Sequence, residues 1–524
     1  MTKNNPLKIN SIAVIGGGPS GITSLYDLTR ALKNGHSLYG VKDIHDYETS
    51  KRTAFDEVVL FERNSDVGGV WCRSERGMKN EDPELPDFSI SPNYEDPEQI
   101  FVKAPISKKL DTQLNNSSFK DPVFVTKKEK QPEDKYQWRS SAAYEHLFTN
   151  VPNKYMSFSY KSAKQLSKNY KQASVFESAD EVGDYLNQIV EENNLKKNIR
   201  FNSNVERILK LENGQWEVTV RVTESQIGTS NLADRWYKQT FDAVVIANGK
   251  TIPIIPRFKN LEEFTRKTRG KTYVTSAKAI KDPKILKDAK KILFIGSSVS
   301  AIDLIQYAFP RSIEKPSVFI SRRSEAKLGH DWVEFCSHSK GIVNKPEVEE
   351  FLPENQGVRF KDGTQESEFD VVIFATGYHI YYPFLEKEYV LKHQKLLKFF
   401  LYTFSIEDPS LALIGNTYAV FFFNRVECQA AALAGVWSGS KELPSKEEQV
   451  EWYKSDFGQK LLTYHVKERF MDPLISYALQ DRPHPFNTKD TEEHVAEISQ
   501  GRRILEGLFQ DIRTGKVDPL TIVN

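Results

Sequence analysis

Two short turns rich in glycine and serine have the residue types and spacing that bind the diphosphate of a nucleotide. The first turn consists of Gly16, Gly17, Gly18, Pro19, Ser20 and Gly21, and the second contains Gly296, Ser298, Ser300 and Ala301. Each turn follows an apolar strand and opens an amphipathic helix, so that backbone N–H groups and the positive helix end face one point. The sequence therefore predicts two nucleotide sites and electron transfer between the two nucleotides.

The residue that ends the next strand differs between the two sites. After the first turn this residue is Glu62, and a carboxylate there accepts hydrogen bonds from both ribose hydroxyls of an adenosine. After the second turn the strand is followed by Ser321, Arg322 and Arg323, without an acid. Arginine binds a 2′-phosphate through two hydrogen bonds, whereas an acid would repel it. The second site is therefore predicted to bind NADPH rather than NADH, through Arg322 or Arg323.

A second internal repeat predicts how the elements are arranged. Residues 241–249 are similar to residues 369–377, and both are apolar strands that stop on a small residue and a glycine. One copy precedes the second turn and the other follows it. This order predicts an α/β fold of two nested Rossmann-type domains. The outer domain covers residues 1–255 and 376–524, the latter with a C-terminal helical region, and the inner domain covers residues 256–375.

Two further segments have recognisable patterns. Residues 73–140 are rich in Pro, Lys, Asp and Glu with weak periodicity, which predicts an insertion that is ordered only in part. Within it, the charged residues 127–130 are expected to lie on the solvated surface. We hypothesise that the insertion forms a lid or wall over the substrate entrance. Residues 211–220 predict a β-hairpin with Asn213 and Gly214 in its turn.

The composition argues against several other classes of protein. The 524 residues carry a net charge of +1, which gives no reason to expect a nucleic-acid partner. No apolar run approaches the ~18 residues that a membrane span needs. The three cysteines include no Cys-x-x-Cys pair, which argues against a disulfide framework, a dithiol oxidoreductase and a metal site, and favours a cytoplasmic location. Neither Gly-x-Ser-x-Gly nor His-Glu-x-x-His occurs, so hydrolase chemistry is not predicted.

Several more specific motifs resemble those of the flavin-containing monooxygenases. In chain order they are Glu62-Arg63, Gly68-Gly69-Val70-Trp71, Phe148-Thr149-Asn150-Val151-Pro152, Ala375-Thr376-Gly377-Tyr378, Leu413-Ile414-Gly415 and Glu427-Cys428-Gln429-Ala430. The resemblance is discontinuous but runs in the family's order from about residue 11 to about residue 435. It implies FAD in the first domain and NADPH in the inserted one.

The resemblance also implies a reaction. NADPH would deliver a hydride to the flavin, and the reduced flavin would add molecular oxygen to form a C4a-hydroperoxyflavin. A small, soft nitrogen or sulfur nucleophile would then take the distal oxygen. Because the cofactor carries this chemistry, the protein positions the reactants, excludes water and supplies hydrogen bonds, and no catalytic triad is needed.

Individual residues receive roles from the same resemblance. Asn150 would be the side chain closest to catalysis, through hydrogen bonds near the flavin and the retained NADP⁺. Glu62 and the first turn would bind the ADP half of FAD. Further FAD contacts are implied for Gly69, Val70, Trp71, Thr149, Asn150, Val151 and Val205. NADPH contacts are implied for Gly296, Ser298, Ser300, Ala301, Ile302, Asp303, Arg322 and Arg323, and further cofactor contacts for Thr376 and Gly377.

One stretch departs from the family and leaves alternatives open. The family has Phe, Gly and His in fixed order between its two turns, whereas residues 268–276 retain the glycine without the Phe or the His. A Baeyer–Villiger-type ketone monooxygenase is one alternative, although those enzymes also carry a His in this stretch. An FAD-binding regulatory protein with decayed oxygenase activity is the other. The oligomeric state, including a homodimer, stays open.

Overall fold

The computed structural model describes residues 8–42, 44, 52–72, 95–127, 129–162, 171–225, 232–325, 331–391, 395–396, 398–416, 421–455, 466–486 and 491–523. It has an α/β architecture in which two separate sheets, one mainly and one wholly parallel, each carry one of the two turns. The predicted insertion is therefore seen only in part, because residues 73–94 lie outside the described residues.

The first turn follows Ser11–Ile15, an interior strand of a seven-stranded sheet. In spatial order its strands are Phe399–Phe400, Phe404–Ser405, Leu411–Leu413, Ala243–Ile246, Ser11–Ile15, Glu57–Phe61 and Ile199–Arg200. The last five run parallel, and the central ones are buried along nearly their whole length because helices or other strands cover both faces. The helix Pro19–Arg30 starts directly after the turn, with Pro19 at a position where its missing N–H costs nothing.

The second turn follows the central strand of a five-stranded parallel sheet. In spatial order its strands are Tyr273–Ser276, Val371–Phe374, Ile292–Ile295, Val318–Ser321 and Ile342–Lys345. The helix Val299–Ile305 follows the turn. All five strands lie between Ala243–Ile246 and Leu411–Leu413, which are neighbours in the first sheet. The predicted nesting of one Rossmann-type fold inside the other is therefore confirmed, while the exact domain boundaries stay a prediction.

The chain crosses between the two sheets twice, and the two crossings pair with each other. Ile252–Pro253 and Tyr378–His379 form a short antiparallel ribbon. The Ile254 N–H donates to the Gly377 carbonyl at 2.9 Å, next to this ribbon. The outgoing and returning connections thus lie side by side.

A four-stranded antiparallel sheet carries the predicted hairpin. Its strands, in spatial order, are Val123–Lys127, Leu232–Phe241, Trp216–Ser225 and Ser203–Lys210. The turn between the last two strands contains Gly214 at φ +85°, as the Asn-Gly pair predicts. The first strand belongs to the insertion.

The described part of the insertion forms regular secondary structure. Its described residues form the strand Val123–Lys127 and the helices Pro97–Ile100, Lys108–Leu114 and Pro132–Lys135. The expectation of a solvated surface at residues 127–130 is wrong for Lys127, which is buried between Asp134 at 2.9 Å and Asp234 at 2.8 Å. These acids are also held by the fully buried Arg221. Long-range ion pairing, invisible in the local pattern, orders this segment.

The remaining helices cover the sheets. The longer ones are Ala179–Glu192, Phe422–Trp437, Lys446–Lys454 and Thr491–Arg513, and shorter ones are Leu261–Lys267, Lys284–Asp288, Asp331–Ser337 and Asp472–Ile475. Phe422–Trp437 packs on Pro19–Arg30 beneath the first turn. Among the described residues, no helix is long and apolar enough to cross a membrane.

Candidate functional site

The first turn can adopt its shape only with glycine at two points. Gly16 has φ +105°, and a Cβ there would lie 2.7 Å from the Ala247 carbonyl oxygen. A Cβ on Gly21 would lie 1.8 Å from the Gly16 oxygen. Both contacts are with backbone atoms, which cannot move aside as a side chain can. Because these glycines lack side chains, the turn lies in direct backbone contact with the neighbouring strand and with the start of its own helix.

Glu62 is buried directly beside this turn. Its Oε2 accepts a hydrogen bond from the Gly17 N–H at 2.6 Å, and its Oε1 accepts one from the Asn64 N–H at 2.8 Å. A Cβ on Gly17 would lie 2.7 Å from Oε2, so the carboxylate itself requires a glycine at this place. The charge-assisted hydrogen bonds fix the carboxylate at the end of the strand.

A cavity of about 360 Å³ opens between this turn and the strand ends. Most residues predicted to contact FAD line it. They are Gly16, Gly17, Gly18, Pro19, Ser20, Glu62, Gly69, Val70, Trp71 and Val205. Gly21 lies in the first turn of the helix behind them. The structure thus brings together residues from four separate parts of the sequence.

Other lining residues, not predicted from the sequence, give the cavity a polar and positive wall. The cationic ones are Arg63, Lys103, Arg139, Lys250 and Lys278, against the two acids Glu62 and Glu206. Burial, helped by repulsion from Arg425, lowers the pKa of Lys250 to about 8. Lys103 and Arg139 come from the insertion, whose mixed charges gave no signal that they face a site.

Several buried polar atoms at this wall lack a partner within the described residues. They are Asn248 Oδ1, the Tyr381 hydroxyl and Arg139 Nε. Buried polar atoms are normally hydrogen-bonded, so unsatisfied ones at a cavity wall fit a polar ligand. Together with the glycine turn, they make the cavity suited to a large, anionic dinucleotide such as FAD.

The segment around Asn150 lies apart from the lining of this cavity. The Thr149 hydroxyl donates to the Val151 carbonyl at 2.9 Å, and the Thr149 N–H donates to the Glu177 carbonyl at 2.7 Å. Asn150 is half-buried, and its side chain makes no hydrogen bond to a described residue. The backbone next to Asn150 is therefore held in place, while the side-chain amide of Asn150 is available to bind a ligand.

The C-terminal helix holds the far side of this segment. Tyr155 contacts His494 at 2.7 Å between the hydroxyl and Nδ1, and it also hydrogen-bonds Glu497. Pro152 packs closely on Gly501, where a Cβ would come within 3.0 Å of its ring. The same helix buries Phe509 in the core of the second sheet. The helix thus connects the Asn150 segment with the second nucleotide fold.

The second turn repeats the backbone of the first. Gly296 has φ +110°, and a Cβ there would lie 2.3 Å from the Ala375 oxygen. Ser298 precedes the helix, and its carbonyl accepts the N–H groups of Ala301 and Ile302 at 2.9 and 3.2 Å. Ser300 is half-buried in the first helical turn, whereas Ala301 and Ile302 face the core. Burial raises the pKa of Asp303, the next residue of the helix, to about 7.

The two arginines beyond the second turn have different surroundings. Arg322 is mostly buried, and its Nη1 donates to Glu334 Oε1 and Oε2 at 2.9 and 3.1 Å, while Nη2 lies 3.0 Å from His338 Nε2. The side chain of Arg323 is 83% exposed, and the carboxylate of Glu347 is 3.9 Å away. The structure thus leaves Arg323 reachable and holds Arg322 against an acid.

The last predicted motif lies at the crossing between the sheets. The Thr376 hydroxyl donates to the Ile254 carbonyl. Gly377 has φ +90° and open space around its Cα, as has Gly249 in the outgoing connection. Both residues therefore belong to the connection that joins the two nucleotide folds.

Comparisons with known proteins agree with the two nucleotide folds. A family model described as flavin-binding monooxygenase-like matches residues 336–470, and one described as pyridine nucleotide-disulphide oxidoreductase matches residues 144–396. The chain is 26% identical over 445 residues to the trimethylamine monooxygenase of Methylocella silvestris, covering 83% of this chain and 76% of that protein. It is 24% identical over 481 residues to the flavin-containing monooxygenase iboF of Amanita muscaria, covering 84% and 81%.

Solved structures share the fold. The S-allyl-L-cysteine S-oxygenase from Allium sativum superposes with a TM-score of 0.60 at 19% identity, covering 97% of this chain and 100% of that one. Tmm from Pelagibacter sp. strain HTCC7211 gives a TM-score of 0.58 at 18% identity, covering 96% and 89%. The two dinucleotide turns and these matches define a flavoprotein monooxygenase that uses FAD and NADPH. The family-model matches and the named relatives support membership of the flavin-containing monooxygenase family, as the motifs predicted.

Proposed function

We propose that the chain oxygenates small nitrogen or sulfur nucleophiles at the expense of NADPH and molecular oxygen. The observation that carries this proposal is the pair of nested dinucleotide folds, joined by one ribbon, with the Trp71 motif and the first turn lining a common cavity. The named relatives support the substrate class, since their printed names include an amine and a thioether monooxygenase or oxygenase.

The first turn and Glu62 would hold the ADP half of FAD. The Gly17 N–H already orients the Glu62 carboxylate, whose remaining acceptor capacity suits two ribose hydroxyls. Gly69, Val70, Trp71 and Val205 would extend the binding surface along the cavity. When bound, FAD supplies hydride acceptance and oxygen activation, while the protein positions the reactants and excludes water.

Asn150 would be the residue nearest the reaction, with Thr149 and Val151 beside it. Its amide can both donate and accept hydrogen bonds, and no described residue engages it. The fixed backbone of Thr149 pre-organises that amide. Asn150 would thus position a bound reactant without transferring a proton itself.

The second turn would hold NADPH, and Arg323 would bind its 2′-phosphate. Glu334 occupies the Nη1 of Arg322 and neutralises its charge, whereas Arg323 is exposed and has a carboxylate only at 3.9 Å among the described residues. Gly296, Ser298 and Ser300 would face the diphosphate, with Ala301, Ile302 and Asp303 supporting the helix behind them. Thr376 and Gly377 would lie where the two nucleotides meet.

The decisive experiment measures cofactor and product in one preparation. The purified protein is expected to contain FAD, to be reduced by NADPH without oxygen, and to convert a thioether or a tertiary amine to its oxide in air. Formation of an ester from a cyclic ketone, without either oxide, would identify a Baeyer–Villiger enzyme instead. Bound FAD without NADPH oxidation would favour the regulatory protein.

The Asn150→Ser variant tests the position assigned to this residue. NADPH oxidation is expected to continue, while the yield of oxygenated product per NADPH falls by roughly tenfold, the loss for about one well-placed hydrogen bond. The hydrogen peroxide released measures the difference. An exposed change in the same region, Glu145→Gln, serves as the control and should leave the yield unchanged. Equal yields from both variants would remove Asn150 from the site.

We further infer a cytoplasmic location and leave a homodimer as a prediction. The three cysteines are buried, and none takes part in a disulfide, which suits a reducing compartment. Fractionation of cells with a compartment marker tests the location. Light scattering of the purified protein tests the dimer, and a mass of one chain would contradict it.

A further inference from the structure

The insertion brings an arginine without a carboxylate partner to the wall of the FAD cavity. Arg139 lines the cavity, and its buried Nε–H has no hydrogen-bond partner among the described residues. Nη2 makes a long contact of 3.4 Å with Gln137 Oε1, and no described acid forms an ion pair with this guanidinium. A partly buried cation without a counter-charge is costly, so such an arrangement points to an anion that is bound when the protein works.

The acids near Arg139 are already committed to another arginine. Arg221 lies 2.6 Å from Glu206, 2.9 Å from Asp134 and 3.5 Å from Asp234. Burial lowers the pKa of Arg139 to about 10, and repulsion by Arg221 adds to this effect. The local charge around the Arg139 guanidinium is therefore not balanced by the protein.

The position of Arg139 is fixed relative to Glu62. Arg63, the next residue after Glu62, donates from its guanidinium to the carbonyls of Gln137, Trp138 and Arg139 at 3.1–3.3 Å. The Trp138 Nε1–H donates to the Ile100 carbonyl at 3.0 Å and anchors the same loop inside the insertion. The loop is thus tied to the strand end that carries the predicted ribose ligand.

We propose that Arg139 binds the diphosphate of FAD, so that the insertion forms part of the FAD site. This inference rests on the proposed function, because it requires FAD beside the first turn. The diphosphate is the negatively charged group of FAD at neutral pH, while the first turn offers N–H dipoles without net charge. A guanidinium supplies that charge and two parallel donors to phosphate oxygens.

The test measures the binding of FAD to the apoprotein, with quenching of flavin fluorescence as the readout. Arg139→Met is expected to weaken FAD about 10- to 100-fold, the range for loss of a charge-assisted contact. Arg139→Lys should recover part of the affinity because it restores the charge without the fork. Lys130→Met removes an exposed cation from the same insertion and should leave FAD affinity unchanged.

Truncated ligands show which group the arginine contacts. ADP and adenosine are each titrated as competitors of FAD. Arg139→Met should weaken ADP about as much as FAD and leave adenosine unchanged, because adenosine lacks the diphosphate. Equal weakening of ADP and adenosine would mean that Arg139 acts on the shape of the site and would overturn the assignment.

Thermal unfolding separates a binding role from a structural one. The apoprotein of Arg139→Met should melt at the wild-type temperature or above it, because an unpaired buried charge is removed. The stabilisation by added FAD should be smaller than in wild type. A wild-type protein that binds no FAD would contradict the proposed function. If wild type binds FAD and Arg139→Met binds it equally well, the assignment of Arg139 to the diphosphate is wrong while the proposed function stands. The assignment is also wrong if the variant keeps its FAD affinity and loses affinity only for a carboxylate-bearing substrate.

Discussion

The two nucleotide folds have the same backbone at the glycine turn and different residues at the end of the neighbouring strand, where the adenosine ribose is expected to bind. Gly16 N–H donates to the Phe61 carbonyl at 2.9 Å, and Gly296 N–H donates to the Ser321 carbonyl at 2.8 Å. Each glycine also packs on the carbonyl of an alanine one strand away. Phe61 and Ser321 pair with the last residue of the strand that precedes each turn, so Glu62 and Arg322 are at equivalent positions. The close packing fixes the turn in both folds, and we propose that Glu62 in one fold and Arg323, one residue further along, in the other select the nucleotide.

The same comparison explains why the first turn has more glycine. Gly17 has no room for a Cβ because the Glu62 carboxylate lies 2.7 Å from that point. The equivalent residue of the second turn is Ser297, where an arginine directed towards Glu334 replaces the carboxylate. A serine is therefore tolerated in the second turn where the first requires glycine.

The largest expected effect comes from the paired glycines. Gly16→Ala and Gly296→Ala each force a Cβ against a backbone carbonyl at positive φ, which costs roughly 2–4 kcal/mol. Gly16→Ala should abolish bound flavin. Gly296→Ala should keep flavin and lose NADPH-dependent reduction. The absorbance of the purified proteins and anaerobic reduction by dithionite and by NADPH separate the two outcomes. Loss of flavin in both variants would show that the two folds are not independent.

A smaller effect should distinguish the two arginines. Arg323→Ala is expected to raise the KM for NADPH about 10- to 100-fold and leave that for NADH unchanged, because NADH lacks the 2′-phosphate. Arg322→Ala should change the NADPH to NADH preference less, since Glu334 already pairs with Arg322. Steady-state kinetics with both nucleotides give the comparison. The reverse order would move the 2′-phosphate contact to Arg322.

The smallest effect concerns the two helices behind the turns. The pKa of Asp303 is raised by burial from 3.8 to about 7, whereas Thr23 lies at the equivalent place in the first helix. Between these pH values the folded state holds a proton that the unfolded state has lost, so stability falls as the pH rises through this range. Asp303→Asn should therefore be more stable than wild type by about 1–3 kcal/mol at pH 8, with the gain shrinking towards pH 5.

Urea unfolding of the apoprotein at several pH values measures this difference. Asp288→Asn, an exposed change in the same fold, should show no comparable dependence on pH. A gain that is constant across the range would assign the effect to packing rather than to the buried charge.

The sequence was sufficient to predict the nested folds because their signals are local. A strand, a glycine turn and a helix are adjacent in the chain, and the repeat around Gly249 and Gly377 marks the crossings. The positive wall of the cavity was not predictable in the same way. Arg139 belongs to a mixed-charge segment, and its position at the wall depends on Arg63, which is distant in sequence. Motif resemblance pointed to Asn150 as a residue but could not show that it lies apart from the cavity lining.

The nesting has a consequence for how the chain folds during synthesis. The strand Ala243–Ile246 needs Leu411–Leu413 as its neighbour, and that partner is made only after the whole second sheet. All five strands of the second sheet come from one uninterrupted stretch, and chain-contiguous units complete their contacts first. The inner fold should therefore complete its folding during synthesis, while the strand Ala243–Ile246 of the outer fold still has one unpaired edge.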